Sequence, residues 1–320
     1  NKNSIKIIGD NTDKYVQAYF DYDSKKSGGI TMSHLRFGDK PIKSTYLIHK
    51  ANFVACHNAA YVRKYNMVQE LVDGGTFLLN CPWSDEELGK HLPGQVKKYI
   101  ADHKIKLVTI DGVKCGIESG MGPTRINTIL QSAFFCLTGI IPQDKAIELM
   151  KAAAKKTYGL KGDDVVQKNW NAIDLGAKNF HEVAVPADWA NGVDEGLDYP
   201  KATTGRKEVI EFVNDIQIKV SSQEGNSIPV SVVKKYENGF TPSGAAAYEK
   251  RGIAVDVPCW NPADCIQCNQ CSYVCPHAVI RPVVLTEEEA ENAPEQMKLK
   301  DATGLPGYKF GITISTLDCS

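Results

Sequence analysis

Apolar positions in the first part of the chain switch repeatedly between two periods. Short runs that alternate or are evenly apolar read as strands: YVQAYF (15–20), ITMSHLRF (30–37), NFVACH (52–57), TFLLNC (76–81) and KLVTI (106–110). Between them the period lengthens. Val62, Tyr65, Val68 and Val72 fall roughly on one stripe and predict a helix over 59–72. Residues 84–101 open on Ser84-Asp-Glu-Glu87, the spacing at which a hydroxyl and a carboxylate cap each other's backbone N–H. Ile126, Ile129, Leu130, Ala133, Phe134 and Leu137 recur with the period of a buried helix face. Two more helices are expected at about 143–157 and 163–175. Strands alternating with helices argue for α/β layers.

The texture then changes. PADWANGVDEGLDYPKATTG, around 186–205, is rich in Pro, Gly and Asp and reads as a boundary or long surface connection. Beyond it, IQIKVSS (216–222) and IPVSVVK (228–234) look strand-like, followed by the turn ENGFTPSGAAA. The acidic LTEEEAENAPEQ (285–296) is simplest as a solvated helix or loop, and the chain shows no internal repeat.

Composition narrows the function classes. The 320 residues suffice for two or three domains, and 42% apolar with 23% charged is ordinary for a soluble globular chain. A net charge of −1 gives no footprint for nucleic acid or an anionic membrane. No apolar run approaches the roughly 20 residues that span a bilayer, and nothing at the N-terminus resembles a signal peptide. The expectation is an intracellular protein. The chain begins NKNSIKII without Met and stops at LDCS in an apolar-leaning stretch, so a piece of something longer is expected.

Ten cysteines are present, four of them crowded together. Cys56, Cys81, Cys115 and Cys136 sit in apolar contexts and read as buried reduced thiols. Cys265-x2-Cys268-x2-Cys271-x3-Cys275-Pro276 has the spacing of a bacterial iron–sulfur run. Two-residue gaps let a tight loop wrap three thiolates around one cubane, while the fourth leaves the loop toward a second. Zinc competes, but its sites usually pair two Cys-x2-Cys steps across a longer span. Cys319 then marks where a second run would begin, continuing as Cys-x2-Cys-x2-Cys-x3-Cys-Pro. The fourth ligand of the first cluster would come from the end of that run. Cys259 reads as a structural thiol. The apolar Ile266, Tyr273, Val274 and Ile280 are expected to keep water from the sulfurs.

Two loops could hold anions. In DSKKSGG (23–29), Lys25, Lys26 and Ser27 stand beside two glycines, which let backbone approach a phosphate closely. A plain hairpin turn with solvated lysines accounts for this stretch at least as well. ESGMGPTRIN (118–127) leads into the longest amphipathic helix and offers free N–H groups, with Arg125 and Asn127 as further donors. Arg125 occupies the third glycine position of GxGxxG, so a nicotinamide-dinucleotide fold is not supported. His34 and His57 could be acid–base groups, but without partner carboxylates a hydrogen-bonded structural role is the simpler reading.

Taken together, DYDSKKSGGITMSHLRFG, NFVACHNAAYV, TFLLNCPW, MGPTRINTILQSAFF, AYEKRGIAV and CIQCNQCSYVCPHAVIRP resemble the pyruvate:ferredoxin (flavodoxin) oxidoreductases, also called pyruvate synthases. The stretches span the chain in the family's order. The resemblance implies an enzyme that decarboxylates pyruvate on thiamine diphosphate and Mg²⁺, passes electrons through [4Fe–4S] clusters to ferredoxin or flavodoxin, and acetylates coenzyme A. It implies an α/β coenzyme A-binding domain with a mixed sheet over 1–192. A small α+β linking domain (193–243) and a truncated bacterial-ferredoxin-like domain (244–320) would follow. Lys25, Lys26, Arg125 and Asn127 would meet the phosphates of coenzyme A. Cys265, Cys268, Cys271, Cys275 and Cys319 would be metal ligands. The thiamine-binding parts would lie outside this chain, a homodimer is expected, and the location would be cytoplasm or an anaerobic organelle. A relative fused to a flavin/NADPH module, or a non-catalytic electron-transfer module, are the alternatives.

Overall fold

The computed structural model describes residues 2–23, 29–44, 46–254 and 256–319. The chain divides into two compact units, Asn1–Asp198 and Tyr199–Ser320.

The first unit opens with helix α1 (Lys2–Asn11), then the hairpin β1 (Tyr15–Tyr22) and β2 (Thr31–Gly38), paired antiparallel from Tyr15↔Gly38 to Tyr22↔Thr31. A second sheet follows in the order β3 (Ala51–Cys56), β4 (Leu71–Asn80), β5 (Lys106–Ile110) and β6 (Phe180–Glu182). β3, β4 and β5 are parallel and β6 runs antiparallel, so the sheet is mixed. Around it lie α2 (Tyr61–Lys64), α3 (Asp85–His91), α4 (Gly94–Asp102), α5 (Gly112–Glu118), α6 (Asn127–Thr138), α7 (Gln143–Tyr158) and α8 (Asp163–Lys178).

Strand alternation sorts the core into layers. Phe77, Leu79 and Leu107 join Leu88, Leu92, Val96, Ile100 and Trp189 on one face of the sheet. Leu78, Val108 and Ile110 join Ile129, Leu130, Ala133 and Ala172 on the other. A parallel sheet covered on both faces needs strands apolar on both sides, which is why KLVTI and TFLLN lack polar alternation. α6 carries two stripes. Ile129 and Leu130 meet the sheet, while Phe135 packs with Ile8, Ile141, Met150 and Ile173. Each such side chain contributes about 1.5–3 kcal/mol by burial.

Three expectations need correction. Over 59–72 only α2 is helical, and β4 already begins at Leu71. Of the expected stripe, Val62 is buried from α2 and Val68 from the turn before β4, while Tyr65 and Val72 are half-buried, so the spacing imitated a longer helix. Residues 84–101 form two helices. Ser84 and Glu87 make the expected capping box, but Pro93 has no N–H to continue α3 and instead starts α4.

The third correction falls in the second unit. Here α9 (Lys207–Phe212), a π-helical turn (Val213–Gln217), α10 (Ile218–Ser221) and α11 (Val230–Val233) replace the strands read in IQIKVSS and IPVSVVK. The expected α+β linking domain over 193–243 is therefore helical. Val209, Phe212 and Val213, at i, i+3 and i+4, bury one helical face with Ala202 and Ala245, overriding the strand preference of the β-branched residues. Next come α12 (Gln270–Val274), β7 (Ile280–Thr286), α13 (Glu287–Glu291), β8 (Lys300–Asp301) and β9 (Tyr308–Ile314), with strand order β7-β9-β8, all antiparallel. The acidic segment supplies α13, capped reciprocally by Thr286 and Glu289.

Candidate functional site

In parallel sheets ligands gather beyond the carboxyl ends of the strands. Asn80, the last residue of β4, is buried there and joins the loops on both sides. Its Nδ2 donates to the His57 carbonyl (2.9 Å) after β3, and its Oδ1 accepts from Gly112 N–H (2.8 Å) after β5. A Cβ at Gly112 would stand 2.9 Å from that oxygen and 3.4 Å from Ile126 Cβ, so the turn after β5 and the start of α6 are closely packed. Sequence reading missed Asn80. Its one signal was a polar residue closing the apolar run TFLL.

The 118–127 loop is folded back by glycines. Gly120 and Gly122 have φ of 77° and 89°, the region that favours glycine. Met121 and Gly122 both donate to the Gly116 carbonyl at 3.0 Å. Arg125 and Asn127 follow, both exposed, at the N-terminus of α6, where Ile126 supplies no side-chain cap. The structure thus brings these two candidate donors to one uncapped helix end, where free N–H groups suit an anion. Lys25 and Lys26 lie outside the described residues.

His34 fits the structural reading. Its Nδ1 accepts from Ile48 N–H (3.1 Å), and burial, partly offset by Glu70 and Asp21, lowers its pKa. His57 enters the strand-end network through its backbone carbonyl. Cys56, Cys81 and Cys115 are buried and Cys136 half-buried. Burial pushes Cys56 up to about 12 and Cys81 to about 11, and raises Cys115 and Cys136 as well, which disfavours the reactive thiolate form.

In the second unit, Cys265 and Cys275 are half-buried and Cys268 and Cys271 exposed. The loop coils tightly because Gln267 (φ 59°) and Asn269 (φ 58°), on either side of Cys268, are left-handed. This turn aims the Gln267 N–H at Cys265 Sγ (3.4 Å). α12 carries Cys271 and delivers Cys275 at its end. Hydrogen bonding from the backbone, at Val279 first and then His277, Ile280 and Ala278, holds the Cys275 thiol below its usual pKa. The loop is clamped to β8: Lys300 Nζ donates to the carbonyls of Pro262 (2.8 Å) and Cys265 (2.7 Å). Gln267 Nε2 reaches Asp301 O (2.7 Å), and Thr303 N–H reaches Gln267 Oε1 (2.8 Å). Cys319 is half-buried, after a turn at Thr316–Asp318.

Among the described residues no three Cys, His, Asp or Glu side chains stand together at metal-binding spacing. The donor chemistry does fit an iron–sulfur group: thiols three positions apart on a left-handed coil, with backbone N–H groups directed at sulfur. The shielding expectation is not met within this chain. Ile266, Tyr273 and Val274 are 81%, 83% and 74% exposed. Helix α12 is little more than one turn and buries none of its residues. Cys259, read as a structural thiol, is exposed and fills no core space. Among the described residues no helix is long and apolar enough to cross a membrane.

A mixed sheet covered by helices on both faces defines an α/β first unit, followed by a second unit that carries the four-cysteine loop and a small antiparallel sheet. Residues 1–179 match the pyruvate ferredoxin/flavodoxin oxidoreductase family, and the chain belongs to it. Residues 200–254 match the EKR domain, whose function is unknown. The chain is 49% identical over 320 residues to a pyruvate-flavodoxin oxidoreductase of Klebsiella pneumoniae, covering all of this chain and 27% of that protein. It is 48% identical over 322 residues to a pyruvate:ferredoxin oxidoreductase of Moorella thermoacetica, again all of this chain and 27% of the other. A pyruvate dehydrogenase [NADP(+)] of Cryptosporidium parvum is 44% identical over 344 residues, with 100% and 18% coverage. The chain thus spans 27% or less of these relatives.

Proposed function

We propose that this chain is the central part of a pyruvate:ferredoxin or flavodoxin oxidoreductase, holding coenzyme A on its first unit and [4Fe–4S] clusters on its second. The overall reaction converts pyruvate, coenzyme A and two oxidised ferredoxins to acetyl-coenzyme A, CO₂, a proton and two reduced ferredoxins. The observation that carries the reading is the Cys265–Cys275 coil, with its N–H groups on sulfur, in a chain alignable throughout with enzymes of that name. Residues 1–192 serve as the coenzyme A-binding domain, 193–243 as a linking segment and 244–320 as a ferredoxin-like domain. Thiamine diphosphate and Mg²⁺ bind to parts of the enzyme outside this chain, and the enzyme is a homodimer of the cytoplasm or an anaerobic organelle.

A bound cluster supplies one-electron transfer; the residues of this chain hold it and tune it. Cys265, Cys268 and Cys271 ligate one cluster, and Cys275 and Cys319 belong to a second. N–H groups at Gln267 and Val279 stabilise charge on sulfur. On the first unit, Arg125, Asn127 and the free N–H groups of α6, with Lys25 and Lys26, bind the phosphates of coenzyme A. Low-temperature EPR of the dithionite-reduced complete enzyme tests the first part: cubane signals are expected, and Cys268→Ala should remove one set. A spectrum with none overturns it. For the second part, Lys25→Gln with Lys26→Gln should weaken coenzyme A binding by about tenfold or more, and an unchanged dissociation constant removes both residues from the site. A second reading, fusion to a flavin/NADPH module, is favoured by the NADP-named relative. Pyruvate-dependent NADP⁺ reduction by the complete enzyme alone would select it.

A further inference from the structure

Lys250, Arg251 and Gly252 belong to the 200–254 domain of unknown function, yet they contact the turn that presents Cys319. Lys250 Nζ lies 2.6 Å from Asp318 Oδ2, and Ser315 Oγ donates to the same oxygen at 2.5 Å. Arg281 Nη2 stands 3.7 Å from it. The Leu317 carbonyl accepts from both Arg251 N–H (3.1 Å) and Gly252 N–H (2.9 Å). On the other side Ser315 N–H donates to the Val279 carbonyl (2.9 Å). The backbone of Val279, four residues after Cys275, thus holds the turn ending in Cys319. The side chains of Lys250 and Asp318 are only 25% and 22% exposed, so neither charge is well compensated by water once the other is removed.

We propose that Lys250 is a positioning residue for the second iron–sulfur centre: through Asp318 it fixes the turn that sets Cys319 beside Cys275. This gives the 200–254 domain a role as the anchor of that ligand pair. It rests on the oxidoreductase reading, in which Cys275 and Cys319 ligate one cluster. Outer partners of this kind orient ligands and commonly change metal affinity by about 10- to 100-fold when lost. Lys250 also places a positive charge near the centre, so its removal should lower that centre's reduction potential.

The test uses the complete enzyme, reading iron retention against a chelator, EPR and redox titration of each centre. Lys250→Met should weaken iron retention at one centre by about 10- to 100-fold and lower its potential, with the other centre unchanged. Lys250→Arg should restore most of both. Lys250→Met combined with Asp318→Asn should be no worse than Lys250→Met alone, because both act through one contact. Wild-type retention, spectra and potentials in Lys250→Met overturn the proposal. So does equal loss of both centres that Lys250→Arg does not repair, since that marks a merely structural residue. Cys319→Ala separates the two levels: if it leaves both centres intact, the ligand reading fails whatever Lys250→Met does.

Discussion

The two units are stabilised in different ways. In Asn1–Asp198 the work falls to fully buried apolar side chains, among them Phe77, Leu79, Ile100, Leu107, Ile129 and Phe135. In Tyr199–Ser320 the buried apolar set is short: Ala202, Val209, Phe212, Val213, Ala245, Val279 and Phe310. Polar side chains gripping distant backbone take over there. Asn214 holds both the N–H and the carbonyl of Ala202 (3.1 and 2.9 Å), and Gln217 reaches the Ala245 carbonyl (3.1 Å). Gln267 and Lys300 do the same around the cysteine coil. A region with little apolar area needs such directed contacts, or a metal staple, to fix one conformation.

The largest effect should come from the first unit. Phe77→Ala empties a fully buried position of β4 and should cost about 3–5 kcal/mol. Urea unfolding of the chain, with amide exchange resolved along it, should show the loss in Asn1–Asp198 alone. Equal loss of protection in both units would end the comparison. Next comes Gly176 on α8, where a Cβ would stand 2.3 Å from the Ile129 carbonyl on α6. Gly176→Ala should force the two helices apart and cost about 1–3 kcal/mol. A stability within about 0.5 kcal/mol of wild type would mean that the α6–α8 contact is not rigid.

This division also governs what could be read from the residues. Layers, strands and the long helix were legible because burial on both faces of a sheet writes itself into apolar runs and periods. Where one face is served by a one-turn helix and then a turn, as at Val62 and Val68, the same spacing misleads. In the second unit β-branched residues suggested strands, but the helical face Val209, Phe212 and Val213 prevailed. The cysteine spacing stood out at once, since the ligation proposed for it depends on positions close in sequence. Partners such as Asn80 with Gly112, or Lys250 with Asp318, 68 residues apart, leave no local signature. Arg125 and Asn127 could be placed at the start of α6 because a helix N-terminus has a sequence pattern.

A third expectation probes the polar stitching itself. Asn214→Ala removes both bonds to the backbone of buried Ala202 and should cost about 1–2 kcal/mol. Faster amide exchange over 200–218, with β4 and β5 unchanged, checks it. If exchange there does not change, Val209 and Phe212 alone hold the segment and the second unit is a small apolar core after all.

The smallest effect concerns pH and separates the hairpin from the sheet within the first unit. His34 on β2 is buried, with Nδ1 accepting the Ile48 N–H, and burial lowers its pKa below 6.5. Glu70 and Asp21 oppose that shift, while Arg36 and His49 add to it. In the unfolded chain His34 takes up a proton near pH 6.5, whereas in the folded chain it does so only at lower pH. Between those two values the unfolded state binds more protons, so stability falls as pH falls. The slope from this one group cannot exceed about 1.4 kcal/mol per pH unit, and it ends once the folded histidine is also protonated. Below that point its contribution stays at the reduced level. His34→Gln cannot titrate, so the difference in unfolding free energy between wild type and variant should grow in the variant's favour as pH drops below 6.5. A difference constant from pH 7.5 to 5 would mean that the hairpin opens to admit the proton without unfolding. β1 and β2 would then be loosely held, in contrast to the sheet beside them.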